Sequence, residues 1–182
     1  MRIISGSFRG KKLFTPSDDR IRPTSDKARE AIFNILFSSM EKKLSECRVL
    51  DVFSGSGALG LEALSRGALE VLFIDIDLKL TKKNASCFGA KNVGFIECDA
   101  RRAPQALKKF DLVFMDAPYN RGLSEPTLDN LLKKGYLDFG AIIVVEVARD
   151  EELNIGDDFE ILDTRVYGAC KFVILSINHD VA

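Results

Sequence analysis

Four consecutive residues, Asp116-Ala117-Pro118-Tyr119, follow the apolar run FDLVFM and set a carboxylate, a backbone carbonyl and an aromatic ring side by side. This combination suits an exocyclic amine of a nucleobase. Such an amine delocalises its lone pair into the ring and is a poor nucleophile. If an Asp116 oxygen and the Ala117 carbonyl hold its two hydrogens, the lone pair turns out of the ring plane toward an electrophile. Pro118 disfavours the helical conformation at Ala117, keeps it extended and so aims that carbonyl. Tyr119 can stack on a flipped or unpaired base, a contact worth about 1–3 kcal/mol. Hydride transfer asks for a histidine, a tyrosine with a lysine, or a cysteine, and this segment is poorly suited to it.

The electrophile is suggested by DVFSGSGALG, Asp51 to Gly60, where Gly55, Gly57 and Gly60 match G-x-G-x-x-G between a strand-like and a helix-like run. The spacing alone suits a nicotinamide or flavin dinucleotide, a nucleoside cofactor without phosphates, or merely a tight strand-to-helix turn. Asp51 would repel a pyrophosphate but welcome the ammonium of a methionine moiety, and no Lys or Arg lies in the loop. Both points favour S-adenosylmethionine, with S-adenosylhomocysteine as product, and Phe53, Ser54, Gly55 and Gly57 as the walls of its pocket. Asp75, 20 residues beyond Gly55, is placed to accept from both ribose hydroxyls. Ile76 would cover a face of adenine, and Asp77 would cap the next helix. Asp99, with Ala100, either accepts from the adenine amine or starts a helical turn. Because the sulfonium already activates the methyl group, orientation supplies most of the rate and no strong base is needed.

The elements that must hold these groups alternate. RVLDVF, EVLFID, GFIECD, FDLVFMD and AIIVVEV read as five strands, separated by helices at ALGLEALSRG, at LKLTKKNASCFG, briefly near Pro104 to Lys109, and around Pro126 to Lys134. FEILDTRVYG and CKFVILSIN read as a closing antiparallel hairpin. Near-continuous apolar strands interleaved with helices predict an α/β, Rossmann-like doubly wound, mostly parallel seven-stranded sheet, which binds ligands beyond the carboxyl ends of its strands. Ahead of it, RIISGSF and KKLFTP read as a β-hairpin about Arg9-Gly10. A helix capped by Thr24 follows, with Ala28, Ile32, Ile35, Leu36 and Met40 on one face.

With 182 residues and 46% apolar content the chain can bury one full core. No long apolar run and no signal-peptide pattern is present, so a soluble, cytoplasmic monomer without membrane contact is expected. Cys47, Cys87, Cys98 and Cys170 are 40, 11 and 72 residues apart, which matches neither a zinc nor a disulfide pattern. They are expected to be reduced and mostly buried. The single histidine, His179, adds nothing to a metal site, and none is expected. Met1 to Arg48 carries 11 basic against 6 acidic residues, while the remainder carries 15 against 21. The basic residues at the front either meet phosphate or form a solvated face.

Taken together, RIRPTSDKAREAIFNIL from Arg20 to Leu36, DVFSGSGALG and Asp116-Ala117-Pro118-Tyr119 resemble the RsmD-type family of bacterial ribosomal RNA guanine methyltransferases. The likeness extends over nearly the whole chain, from IISGSFRGKKL to Tyr167-Gly168. It implies an S-adenosylmethionine-dependent enzyme, of the class I methyltransferase fold, that methylates the exocyclic N2 amine of one guanine in 16S ribosomal RNA during small-subunit assembly. It also implies that an extension over residues 1–45, through Arg2, Arg9, Lys11, Lys12, Arg20 and Arg22, faces the RNA, while residues 46–182 form one compact catalytic unit. Such families usually place a second proline where this chain has Ala117, so a somewhat looser loop is expected. Arg101 and Arg102 are expected to face solvent. Two rivals remain. One is an amino-methylating enzyme of adenine or cytosine in DNA, for which the stretch before the first core strand is short. The other is a non-catalytic RNA-binding assembly factor, against which the intact Asp116, Pro118, Tyr119 and glycine loop speak.

Overall fold

The structure, a computed structural model, describes residues 1–15, 26–40 and 42–178, side chains 37–39 excepted. Thr24, Arg20 and Arg22 lie outside the described residues. Helix α1 (Asp26–Ser39) leads into β1 (Arg48–Val52), α2 (Ala58–Ser65), β2 (Glu70–Asp75), α3 (Lys79–Phe88), β3 (Val93–Glu97), β4 (Phe110–Asp116), α4 (Ser124–Lys133), β5 (Leu137–Ala148), β6 (Phe159–Tyr167) and β7 (Cys170–Ile177). The seven strands lie in the order β3-β2-β1-β4-β5-β7-β6. The first five are parallel, and β7 is antiparallel to both β5 and β6.

Both faces of the sheet are covered, which is why its central strands read as unbroken apolar runs. Leu112 and Phe114 of β4 enter one core with Val49, Ile142 and Val144. Val113 and Met115 enter the other with Leu50, Val52, Ile143 and Val145. Strand order reverses between β1 and β4, so the ends of these two strands and of β2 open onto one crevice.

The N-terminal segment shares the first core rather than standing apart. Ile3, Leu13, Ile32, Phe33 and Leu36 pack in it with Val49 and Phe114. Phe33 lies off the helix face read from the sequence, yet it is 1% exposed and its ring centroid is 5.5 Å from that of Phe114. Burial of such a side chain stabilises by about 1.5–3 kcal/mol.

The expected N-terminal hairpin is much reduced. One antiparallel bridge joins Arg2 to Lys12, with the Ile3 amide on the Lys11 carbonyl, the Gly10 amide on the Ile3 carbonyl and the Leu13 amide on the Met1 carbonyl, while amides between the two runs bond to α2. The amides of Ile4 and Ser5 donate to the Glu62 carboxylate at 2.7 and 3.0 Å, and that of Phe8 donates to Ser65 Oγ at 2.8 Å. Glu62 is fully buried, and Arg66 one turn on completes its pairing at 2.7 Å.

The short helix expected near Pro104 to Lys109 is absent. A 3₁₀ turn occupies Ala100–Arg102, and the segment after it is tied to the loop before β5, with the Ala106 amide on the Lys134 carbonyl and the Phe110 amide on the Tyr136 carbonyl. Those amides are therefore lost to any local helix. Cys87 is exposed, against expectation, while Cys47 is buried and all four cysteines are free.

Candidate functional site

The turn after β1 carries unusual backbone. Phe53 has φ 59°, a left-handed conformation that costs a side-chain-bearing residue on the order of 1–3 kcal/mol and clusters at functional sites. Its amide is held by the Ile74 carbonyl at 2.9 Å. Gly57 has φ 77°, and a Cβ there would come within 2.9 Å of Thr81 Cγ2. At Gly60 a Cβ would sit 2.5 Å from the Phe73 ring, so glycine is what lets α2 pack down on β2. Gly55 differs, since a Cβ on it would meet nothing nearer than the Phe53 carbonyl oxygen at 3.9 Å. The turn is open at that point.

Two residues of α3 that the sequence reading passed over brace this turn. Thr81 Oγ1 donates to the Gly55 carbonyl at 2.9 Å and lies 3.2 Å from Ser54 Oγ. Asn84 Nδ2 donates to the Ser56 carbonyl at 2.9 Å, and to Phe14 of the N-terminal segment. Both side chains are fully buried. Polar residues at i and i+3 on the inward face of an amphipathic helix were the available signal.

Of the acids, Asp51 is 2% exposed and its Oδ2 accepts the Gly60 amide at 2.9 Å. Burial pushes its pKa up to about 8, against the relief of that hydrogen bond and with a further rise from Asp75. Asp75 accepts the Gly55 amide at 2.8 Å and the Asp77 amide at 3.1 Å, which uses two of a carboxylate's roughly four acceptor positions. Ile76 beside it is 75% exposed, an apolar side chain left in water at the rim. Asp77 accepts the Lys79 amide from one residue ahead of Leu78, which occupies the cap position of α3 in place of the aspartate expected there, and this bond holds the Asp77 carboxyl below the usual range. Asp99 caps the 3₁₀ turn that contains buried Ala100. Arg101 folds back onto it at 2.6 Å and lowers its pKa, so Arg101 is an internal partner rather than a purely solvated cation.

At the end of β4, Asp116 is half-buried and Ala117 buried, while Pro118 is exposed. Tyr119 is not a free ring: its hydroxyl donates to Glu146 Oε1, a buried residue of β5 that stands in register with Asp116. Burial and then this bond raise the phenol's pKa. The sequence reading missed Glu146, although a lone acid inside AIIVVEV was there to be questioned.

Among the basic residues, Arg2 faces Asp26 at 3.4 Å. The Lys11 ammonium donates to the Phe88 carbonyl at 3.0 Å and lies over the Phe8 and Phe88 rings. Arg9 and Lys12 are exposed. Arg20 and Arg22 fall outside the described residues.

A parallel sheet with an antiparallel pair in the order 5-7-6, a glycine turn after β1 and acids closing β2 and β4 define a class I methyltransferase fold. Residues 1–176 match the family described as Conserved hypothetical protein 95, and the chain belongs to that family. It is 34% identical over 180 residues to ribosomal RNA small subunit methyltransferase D of Haemophilus influenzae, covering 94% of this chain and 91% of that one. Identity to the protein of the same name from Escherichia coli K12 is 39% over 150 residues, covering 80% and 74%. A solved structure of the E. coli protein yhhF superposes with a TM-score of 0.81 at 32% identity over 97% of each chain.

Proposed function

We propose that the protein transfers a methyl group from S-adenosylmethionine to the exocyclic N2 amine of a guanine in 16S ribosomal RNA, acting as a cytoplasmic monomer on an assembling small-subunit particle. The observation that carries this reading is the placement of Asp116 to Tyr119 at the end of β4, beside β1 and its open glycine turn. The small-subunit methyltransferase names of its relatives support the RNA substrate. Among the described residues no cluster of acids, cysteines or histidine could hold a metal.

The residues present fit the cofactor's chemistry. Open Gly55 and exposed Ile76 leave room for a nucleoside, and Asp75 keeps acceptor positions for ribose hydroxyls. Phe53, Ser54 and Gly57 would shape the methionine pocket and buried Asp51 would receive the ammonium. Asp99 and Ala100 would meet the adenine, with Asp99 shared between that contact and Arg101. When bound, the cofactor supplies a methyl group on a positively charged sulfur. Asp116 and the Ala117 carbonyl then hold the two amine hydrogens, Pro118 keeps that carbonyl extended, and Tyr119 stacks on the base. The excess proton of the methylated amine passes to the Asp116 carboxylate or to water. Residues 1–45, with Arg2, Arg9, Lys11, Lys12, Arg20 and Arg22, would face the RNA, and residues 46–182 would act as one catalytic unit.

The test is transfer of labelled methyl to small subunits from a strain lacking the protein, with the modified nucleotide mapped. Asp116→Ala is expected to lower kcat at least about a hundredfold, the scale of losing positioned hydrogen-bond partners. Unchanged transfer by that variant, or label on DNA alone, would overturn the reading.

A further inference from the structure

Strands β4 and β5 reach the site with acids side by side, Asp116 in register with Glu146. Register partners on neighbouring strands share a face, so both carboxylates project the same way. Glu146 is 3% exposed, lies opposite Phe172 of β7 and interrupts a run of buried valines. A buried carboxylate is costly unless hydrogen-bonded, and an apolar residue would serve the sheet better. What Glu146 holds is the Tyr119 hydroxyl, at 2.5 Å. Tyr119 itself is 36% exposed. The hydroxyl end is thus anchored at the floor while part of the ring stays open to the crevice. The Cys170 thiol also faces Glu146, its pKa pushed up to about 12 by burial first and by Glu146 next.

We infer that Glu146 is a positioning residue for base capture: it touches neither base nor cofactor, but fixes the Tyr119 ring in the orientation on which the target base stacks beside Asp116. This rests on the amine-methylation reading above. A ring already anchored loses little freedom when the base docks, whereas a released ring must be ordered each time. Stacking is made equally in the ground state and the transition state, so the loss falls on KM for RNA rather than on kcat.

The experiment compares Glu146→Leu, Glu146→Gln, Tyr119→Phe and the double variant Glu146→Leu/Tyr119→Phe, each with cooperative thermal unfolding confirmed. Alkaline titration of tyrosinate absorbance needs no methyl transfer and is clean here, because the chain has three tyrosines and no tryptophan. Glu146→Leu removes the bond and the charge but not the burial, so it is expected to lower the pH at which one tyrosine ionises relative to the parent while leaving it above the ordinary value of about 10. In kinetics, Glu146→Leu and Tyr119→Phe should each raise KM about threefold to tenfold with kcat nearly unchanged. Glu146→Gln, which keeps an acceptor, should stay close to the parent, and the double variant should be no worse than the worse single one. Multiplying losses in the double variant, a fall in kcat at constant KM, or an unchanged titration in Glu146→Leu would overturn the assignment. Should Glu146→Leu fail to fold, an unchanged KM in Tyr119→Phe overturns it alone. An active Asp116→Ala would remove the underlying site reading instead, and the titration would still report the contact.

Discussion

Asp51→Asn should make the apo-protein more stable and its cofactor binding weaker. The carboxylate is 2% exposed and receives one backbone amide, from Gly60, while burial raises its pKa from an ordinary 3.8 to about 8. Between those two values the folded state keeps a proton that the unfolded state has released, so stability falls as pH rises through the window. At about 1.4 kcal/mol per pH unit, the roughly four units between those values make the penalty on the order of 6 kcal/mol by pH 8. Asparagine keeps an oxygen for the Gly60 amide and carries no charge. Urea denaturation should therefore show parent and variant alike near pH 4, with the variant increasingly ahead as pH rises, by up to about 6 kcal/mol at pH 8. A bound ammonium favours the ionised acid, so S-adenosylmethionine binding near pH 7 should release close to one proton from the parent and none from the variant, measurable by calorimetry in buffers of different ionisation enthalpy. Parallel stability profiles would refute the burial argument. Proton-neutral binding by the parent would refute the placement of the ammonium.

Gly60→Ala would put a methyl group 2.5 Å from Phe73 and 2.9 Å from Asp51 Oδ2, and is expected to cost about 1–3 kcal/mol in chemical denaturation; a neutral result would show that α2 can lift off β2 freely. Ala117→Pro adds a second ring to this loop and should leave kcat unchanged or higher, because the carbonyl survives and the backbone stiffens. A large drop in single-turnover rate would contradict the role given to that carbonyl.

Local pattern and long-range packing made different parts of this protein visible. The alternation of apolar strands with amphipathic helices, the G-x-G-x-x-G turn and the acids at strand ends follow from periods of 2 and 3.6 residues and from backbone demands carried by single residues, so they are legible in one dimension. The five parallel strands and the closing hairpin accordingly lie close to where the sequence places them. The segment after β3 and the N-terminal run are different. Their propensities allow a helix and a hairpin, yet the Ala106 and Phe110 amides are claimed by the Lys134 and Tyr136 carbonyls, and the Ile4, Ser5 and Phe8 amides by Glu62 and Ser65, partners far away in sequence, which leaves only a short hairpin at the front. The candidate site divides the same way. Asp116 and Tyr119 are adjacent in the chain and could be read together, whereas Glu146 joins them only because β5 lies in register beside β4. Thr81 and Asn84 likewise brace the glycine turn only once α3 has packed against it. Sequence alone determined which residues could do chemistry; burial and strand register, set by the cooperative packing of two cores, decided which of them are held, paired or left open.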